Sequence, residues 1–125
     1  MRVADSSYIT EGLLKRKGLL EEDFLLTVDL AVYETANSIW KHQCLLKDLK
    51  NGAPYVSILH ELIESGRIRV IRPGKELMEK AYSLAAKYRR PIYDTIFVAL
   101  ALELGSELAT FDRRQTELLR SEAGN

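Results

Sequence analysis

The sequence predicts an α/β fold: one domain, a three-layer α/β/α sandwich around a central parallel sheet of about four strands. Three observations carry this. Apolar runs of strand length alternate with amphipathic stretches of helix length, in the order β-α-β-α-α-β-α-α-β. The run Phe24-Leu25-Leu26-Thr27-Val28 is continuously apolar, as in a strand buried on both faces, rather than alternating. The segment from Thr95 to Leu104 is apolar nearly all round, which marks a helix in the interior.

Taken in order, Arg2 to Asp5 reads as a short strand ending on an acid. Ser6 and Ser7 can cap the helix that follows, which carries Tyr8, Ile9, Leu13 and Leu14 and stops near Gly18. Leu19 to Asp23 reads as a connector to the second strand. Asp29 is expected to cap a long helix reaching about Lys50, with Val32, Tyr33, Ala36, Ile39 and Trp40 inward. Glu34 and Asn37 fall on another face of it. Asn51-Gly52 closes that helix and Pro54 opens the next, with Ile58, Leu59, Leu62 and Ile63 inward and Gly66 as its stop. Ile68 to Ile71 is the third strand, and Arg67, Arg69 and Arg72 alternating along it suggest an edge position. After the Pro73-Gly74 turn, Lys75 to Tyr88 reads as a helix burying Leu77, Met78, Ala81, Tyr82 and Ala85. Pro91 starts the apolar helix, Gly105 ends it, and Leu108 to Phe111 is the fourth strand. Thr116 to Leu119 adds a helical turn, and residues 118–125 are expected to form a flexible polar tail.

Length and composition bound the function. The 125 residues make one domain with one core; 46% are hydrophobic and 29% charged, as in globular proteins. Zero formal net charge removes the simplest sign of nucleic-acid binding, a strongly basic domain, although an acidic site can offset basic patches elsewhere. The single cysteine, Cys44, permits no internal disulfide, excludes a zinc ribbon, and reads as a small buried residue. No run of about 18 apolar residues occurs, and the first residues lack a signal-peptide pattern, so the expected compartment is the cytoplasm. His42 and His60 have no ligand-like partners in the sequence and read as ordinary helix residues. Neither a P-loop nor a G-x-G-x-x-G is present.

Chemistry is expected where the topology collects acids. In an α/β unit, strand ends and the starts of antiparallel helices share one edge of the sheet. Asp5 ends the first strand, Glu34 lies early in the helix after the second, Asp94 begins the apolar helix, and Asp112 follows the fourth strand. Open α/β sheets bind ligands at that edge. Singly, each residue has a plainer explanation: Asp94 a helix cap, Glu34 a solvated helix residue, Asp5 and Asp112 turn formers. Together they would repel unless a cation neutralised them. Mg²⁺ or Mn²⁺, which take oxygen ligands, clamp phosphodiesters and activate water. Ser7 and Asn37 could hold a carboxylate from behind. Arg113 and Arg114, next to Asp112, are the better phosphate contacts among the basic clusters.

At these residues the chain resembles the PIN domain family of ribonucleases, and within it the VapC-type toxins of toxin–antitoxin pairs. The matching motifs are V-x-D-x-S at Val3, Asp5 and Ser7; Y-E-x-x-N at Tyr33, Glu34 and Asn37; Y-D-x-x-F-V-A-L-A from Tyr93 and Asp94; and T-x-D-R-R at Thr110 and Asp112. The resemblance implies that Asp5, Glu34, Asp94 and Asp112 hold one or two Mg²⁺ or Mn²⁺ ions for endonucleolytic RNA cleavage, with Ser7, Asn37 and Thr110 behind them. It implies a homodimer and inhibition by an antitoxin protein that reaches the acids with a basic side chain. Many family members carry a further strand after the Asp112 motif, for which the tail leaves little room. The alternatives are a housekeeping PIN nuclease of RNA processing, a non-catalytic PIN-fold binding module, and a receiver-like domain. The last lacks its usual acidic pair after the first strand and its lysine after the last.

Overall fold

The computed structural model describes residues 1–124. Four strands form one parallel sheet: β1 (Arg2–Ala4), β2 (Leu25–Val28), β3 (Ile68–Ile71) and β4 (Leu108–Ala109), in the spatial order β3-β2-β1-β4. Arg2 pairs with Leu25, Leu25 with Ile68, and Ala4 with Ala109. The chain therefore steps outward from β1 through β2 to the edge strand β3, then returns to β1's other side. Among the described residues, six helices connect them and a seventh follows β4: α1 (Ser6–Leu14), α2 (Gly18–Glu21), α3 (Asp29–Cys44), α4 (Ala53–Glu64), α5 (Lys75–Tyr88), α6 (Ile92–Leu104) and α7 (Arg113–Ala123). Helices α1 to α4 pack among themselves, while α5 and α7 pack on α6, which itself lies on β1, β2 and β4. Reversing the winding direction after β3 sends α5 and α6 to the opposite face, since parallel crossovers keep one hand. This is the expected three-layer sandwich.

Helix α6 is the floor of the core, with Thr95 through Ala101 all buried. It starts where Arg89, in the left-handed conformation (φ 55°), ends α5, and where Pro91 fixes an extended N-cap. Thr95 Oγ1 donates to the Ala81 carbonyl at 2.7 Å, tying α6 to α5. Gly105 ends the helix at φ +60°, which lets the chain turn at once into β4. Gly12 permits a close approach: a Cβ there would stand 2.6 Å from Leu20, so α1 and α2 could not pack as they do.

Several expectations require correction. Leu19 to Asp23 is not a plain connector, because Gly18–Glu21 forms α2 with Leu20 buried. Helix α3 stops at Cys44, short of Lys50; its N-cap is Val28, and Asp29 lies inside the first turn. Tyr33 and Trp40 are 74% and 50% exposed, because α3 turns the smaller stripe of Ala31, Thr35 and Ile39 inward. Similarly, α5 buries Leu77, Ala81 and Leu84, leaving Met78 and Tyr82 outside. Cys44 is exposed at the end of α3. As expected, His42 and His60 are helix residues, and each pairs with a single nearby acid, Asp48 at 2.9 Å and Glu64 at 3.1 Å. β4 contains only two residues, so Phe111 lies beyond it and is half exposed.

The expected flexible tail is instead helix as far as Ala123, while Asn125 lies outside the described residues. Buried Gln115 and Leu118 anchor α7, and Lys87 and Tyr88 of α5 bond Glu122 at 3.0 and 2.6 Å. No fifth strand occurs among the described residues. The packing of α7 can be checked by denaturant unfolding. Truncating Leu118→Ala should cost about 2–5 kcal/mol, the range for a buried leucine. A loss below about 0.5 kcal/mol would mean that α7 contributes nothing to the fold.

Candidate active site

The return of the chain to the other side of β1 creates a switch point between β1 and β4, where open α/β sheets bind ligands outside their carboxyl ends. Asp5 stands there, directly after β1. Its backbone N–H donates to the Ala109 carbonyl of β4 at 3.2 Å, and Thr27 Oγ1 of β2 donates to the Ala4 carbonyl at 2.6 Å. The carboxylate is 2% exposed. It accepts from Ser7 Oγ at 2.7 Å, from the Tyr8 N–H at 3.1 Å as the cap of α1, and from Thr110 Oγ1. Ser7 Oγ in turn accepts the Phe111 N–H at 2.9 Å, and Thr110 Oγ1 accepts the Asp112 N–H at 2.9 Å. One buried carboxylate thus fixes the turn after β4.

Burial pushes the Asp5 pKa above its usual value; the hydrogen bonds from Ser7, Thr110 and Tyr8 oppose this, and the Asp112 charge adds to it. Glu34, in the second turn of α3, is likewise raised by burial. The Ser6 hydroxyl opposes the shift, and the charges of Asp5 and Asp94 reinforce it. Glu34 Oε1 is buried with no hydrogen-bond partner. Asp94 sits in the first turn of α6 but does not cap it, since Pro91 is the N-cap and no side chain bonds there. The plain capping explanation is thereby removed for Asp94. Asp112 does cap α7, accepting from the Arg114 N–H at 3.0 Å, and it pairs with the Arg114 guanidinium at 3.4 Å. Arg114 is held more firmly protonated by Asp112 first and by Asp94 second.

The electrostatics thus couple Asp5 with Glu34 and Asp112, Glu34 with Asp94, and Asp94 with Arg114. Ser7 and Thr110 lie behind Asp5 as expected. Asn37 does not join them: it is exposed and makes no hydrogen bond among the described residues. Arg113 is exposed at the start of α7, and Arg114, also exposed, pairs with Asp112. The sequence reading missed Ser6, whose only signal was its position after Asp5. It also missed the part played by the Tyr8 N–H, which a backbone group cannot advertise.

Does the set fit a divalent cation? Its donors are all oxygens, one of them buried without a partner, and two of its carboxylates resist ionisation through burial and mutual repulsion. A hard cation would relieve all three conditions. Among the described residues, no three acidic, histidine or cysteine side chains enclose an ion as they stand, so the carboxylates would have to draw inward to hold one.

A model of the PIN domain matches residues 7–119, and this chain belongs to the PIN domain family. The relative that places it more narrowly is Ribonuclease VapC3 of Pyrobaculum aerophilum, 37% identical over 93 residues, which span 74% of this chain and 70% of that one. Two solved structures share the fold. PAE2754 of P. aerophilum gives a TM-score of 0.74 at 19% identity, covering 98% of this chain and 95% of its own. Mycobacterium tuberculosis VapC20, described as a sarcin-ricin loop cleaving toxin, gives 0.72 at 16% identity over 94% of each chain.

The charge argument predicts a pH signature. A Glu34 pKa raised above the ordinary 4.5 means the folded state binds that proton more tightly than the unfolded state. Its contribution to stability is complete below the ordinary value and is lost as pH rises through the folded value. Without divalent ions, Glu34→Gln should therefore melt increasingly above wild type as pH climbs from about 4.5. Thermal melts in EDTA across pH 4–8 test this, and a gap that stays flat or shrinks would refute it.

Proposed function

We propose that the protein is a Mg²⁺- or Mn²⁺-dependent endoribonuclease, the toxin of a toxin–antitoxin pair, hydrolysing RNA phosphodiester bonds. The observation that carries this reading is the coupled carboxylate set at the β1–β4 switch point, with Asp5 buried and doubly hydroxyl-bonded. The kinship with a protein named as a ribonuclease supplies the substrate class. Asp5, Glu34, Asp94 and Asp112 are the residues that would hold the ion. When bound, such an ion clamps the scissile phosphate and activates water for in-line attack.

The chain's own residues do the rest. Ser7, Thr110 and the Tyr8 N–H keep Asp5 in one orientation, leaving no rotamer search when substrate arrives. The Ser6 hydroxyl bonds the partly buried Glu34 carboxylate. Arg114 balances Asp112 and Asp94, and Arg113, exposed beside them, meets the phosphate backbone. The cognate antitoxin and a homodimeric assembly belong to this proposal, supported by the VapC kinship. No described helix is long and apolar enough to cross a membrane. A housekeeping PIN nuclease would use the same carboxylates; an antitoxin partner separates the two.

Purified protein freed of any partner should cleave a mixed RNA substrate with Mg²⁺ or Mn²⁺. EDTA and Asp94→Asn should each abolish the cleavage. Equal cleavage in all samples would reveal a contaminant. Absence of both cleavage and calorimetric Mn²⁺ binding would replace the nuclease reading with a non-catalytic binding module.

A further inference from the structure

Phe111 is absorbed by no role described so far. It follows Thr110 and precedes Asp112, its N–H is pinned to Ser7 Oγ, and yet its ring is 51% exposed. The ring is backed rather than loose: it stacks on buried Tyr8 with centroids 5.7 Å apart and planes 13° from parallel. The Arg16 guanidinium lies 5.4 Å from its centroid.

The ring also divides two depressions. One, of about 180 Å³, runs along α1 and α3 and is lined by Ser7, Lys15, Glu11 and His42. The other, of about 470 Å³, runs along α7 and is lined by Thr110, Arg113, Arg120 and Glu117. Phe111 borders both, and the two hydroxyls that hold Asp5 open one onto each side. Arg113 and Arg120 form no ion pair among the described residues, so the larger depression carries two unpaired cations against one glutamate. A rigid exposed aromatic flanked by grooves, with free cations in one of them, matches the recognition of single-stranded nucleic acid. There, bases stack on rings while arginines track the backbone.

We propose that Phe111 is a stacking platform for the nucleobase next to the scissile phosphodiester of single-stranded RNA, with Arg113 and Arg120 holding the neighbouring phosphate. This rests on the ribonuclease reading above. The incoming base takes the place beside the ring where Arg16 now lies, and the guanidinium moves to a phosphate. Because every base has a π-face, Phe111 sets the position of the strand rather than its sequence.

The test uses a fluorescein-labelled random 12-mer oligoribonucleotide. Kinetics are measured with Mn²⁺, and equilibrium binding is measured in EDTA. Phe111→Leu keeps an apolar contact for Tyr8 but removes the π-face. It should raise both KM and Kd about tenfold, within the range for loss of one stacked base, and leave kcat within about twofold. Phe111→Trp should restore wild-type KM. In a Trp40→Phe background, the Phe111→Trp fluorescence should be quenched when the oligoribonucleotide binds, a readout that survives if Phe111→Leu fails to fold. Active wild type with unchanged KM and Kd in Phe111→Leu overturns this inference alone. Unquenched Phe111→Trp at saturating oligoribonucleotide overturns it as well. Inactive wild type defeats the nuclease reading, and the binding and quenching arms still decide the platform.

Discussion

The structure depends on the way one buried carboxylate is satisfied. Asp5 ends the central strand at a depth where an isolated charge would be costly. Three donors answer it: a backbone N–H that starts α1, a hydroxyl from the same turn, and a hydroxyl from beyond β4. The last of these connects residues 105 positions apart. β4 is only two residues long and could not hold its own exit in place. Through Ser7 and Thr110, Asp5 also fixes the backbone N–H groups of Phe111 and Asp112. The carboxylate is therefore a structural joint and the centre of the candidate site at once.

Charge is distributed to match. Going outward from Asp5, burial weakens: Glu34 is partly buried with one oxygen lacking a partner, and Asp112 already has a cationic companion in Arg114. The inner carboxylates resist ionisation, which leaves them ready to gain from a cation; the outer one is balanced by the protein itself. Such a gradient lets an acidic cluster sit in a chain of zero formal net charge. Arg113 and Arg120 lie beside that set, along the depression on α7.

The apolar surface obeys a related division. The stripes that α3 and α5 turn inward are made of small or aliphatic residues, Ala31, Thr35, Ala81 and Leu84 among them. Their larger aromatics stay outside. Close packing favours this choice, because a tyrosine or tryptophan inside would hold α3 too far from β2 and α5 too far from α6. Outside, Tyr33, Tyr93 and Phe111 each stand beside one of the carboxylates in sequence, so the wet edge of the sheet is ringed with exposed rings.

The sequence by itself determined the alternation of strands and helices, the interior position of α6, the edge position of β3, and the four acids gathered at one end of the sheet. These follow from periodicities and from the handedness of parallel crossovers, which act locally or through chain order. Only the tertiary structure decided which of two adjacent apolar stripes faces inward, because a rotation of α3 or α5 by one residue satisfies the same sequence pattern. It alone decided that Leu118 has a core to enter, making a helix of an expected tail. It separated Asp94, which caps nothing, from Asp5 and Asp112, which cap α1 and α7. And it drew Thr110 to Asp5 while leaving Asn37 in solvent, since a hydrogen bond across 105 residues is a property of the packed molecule and of no segment within it.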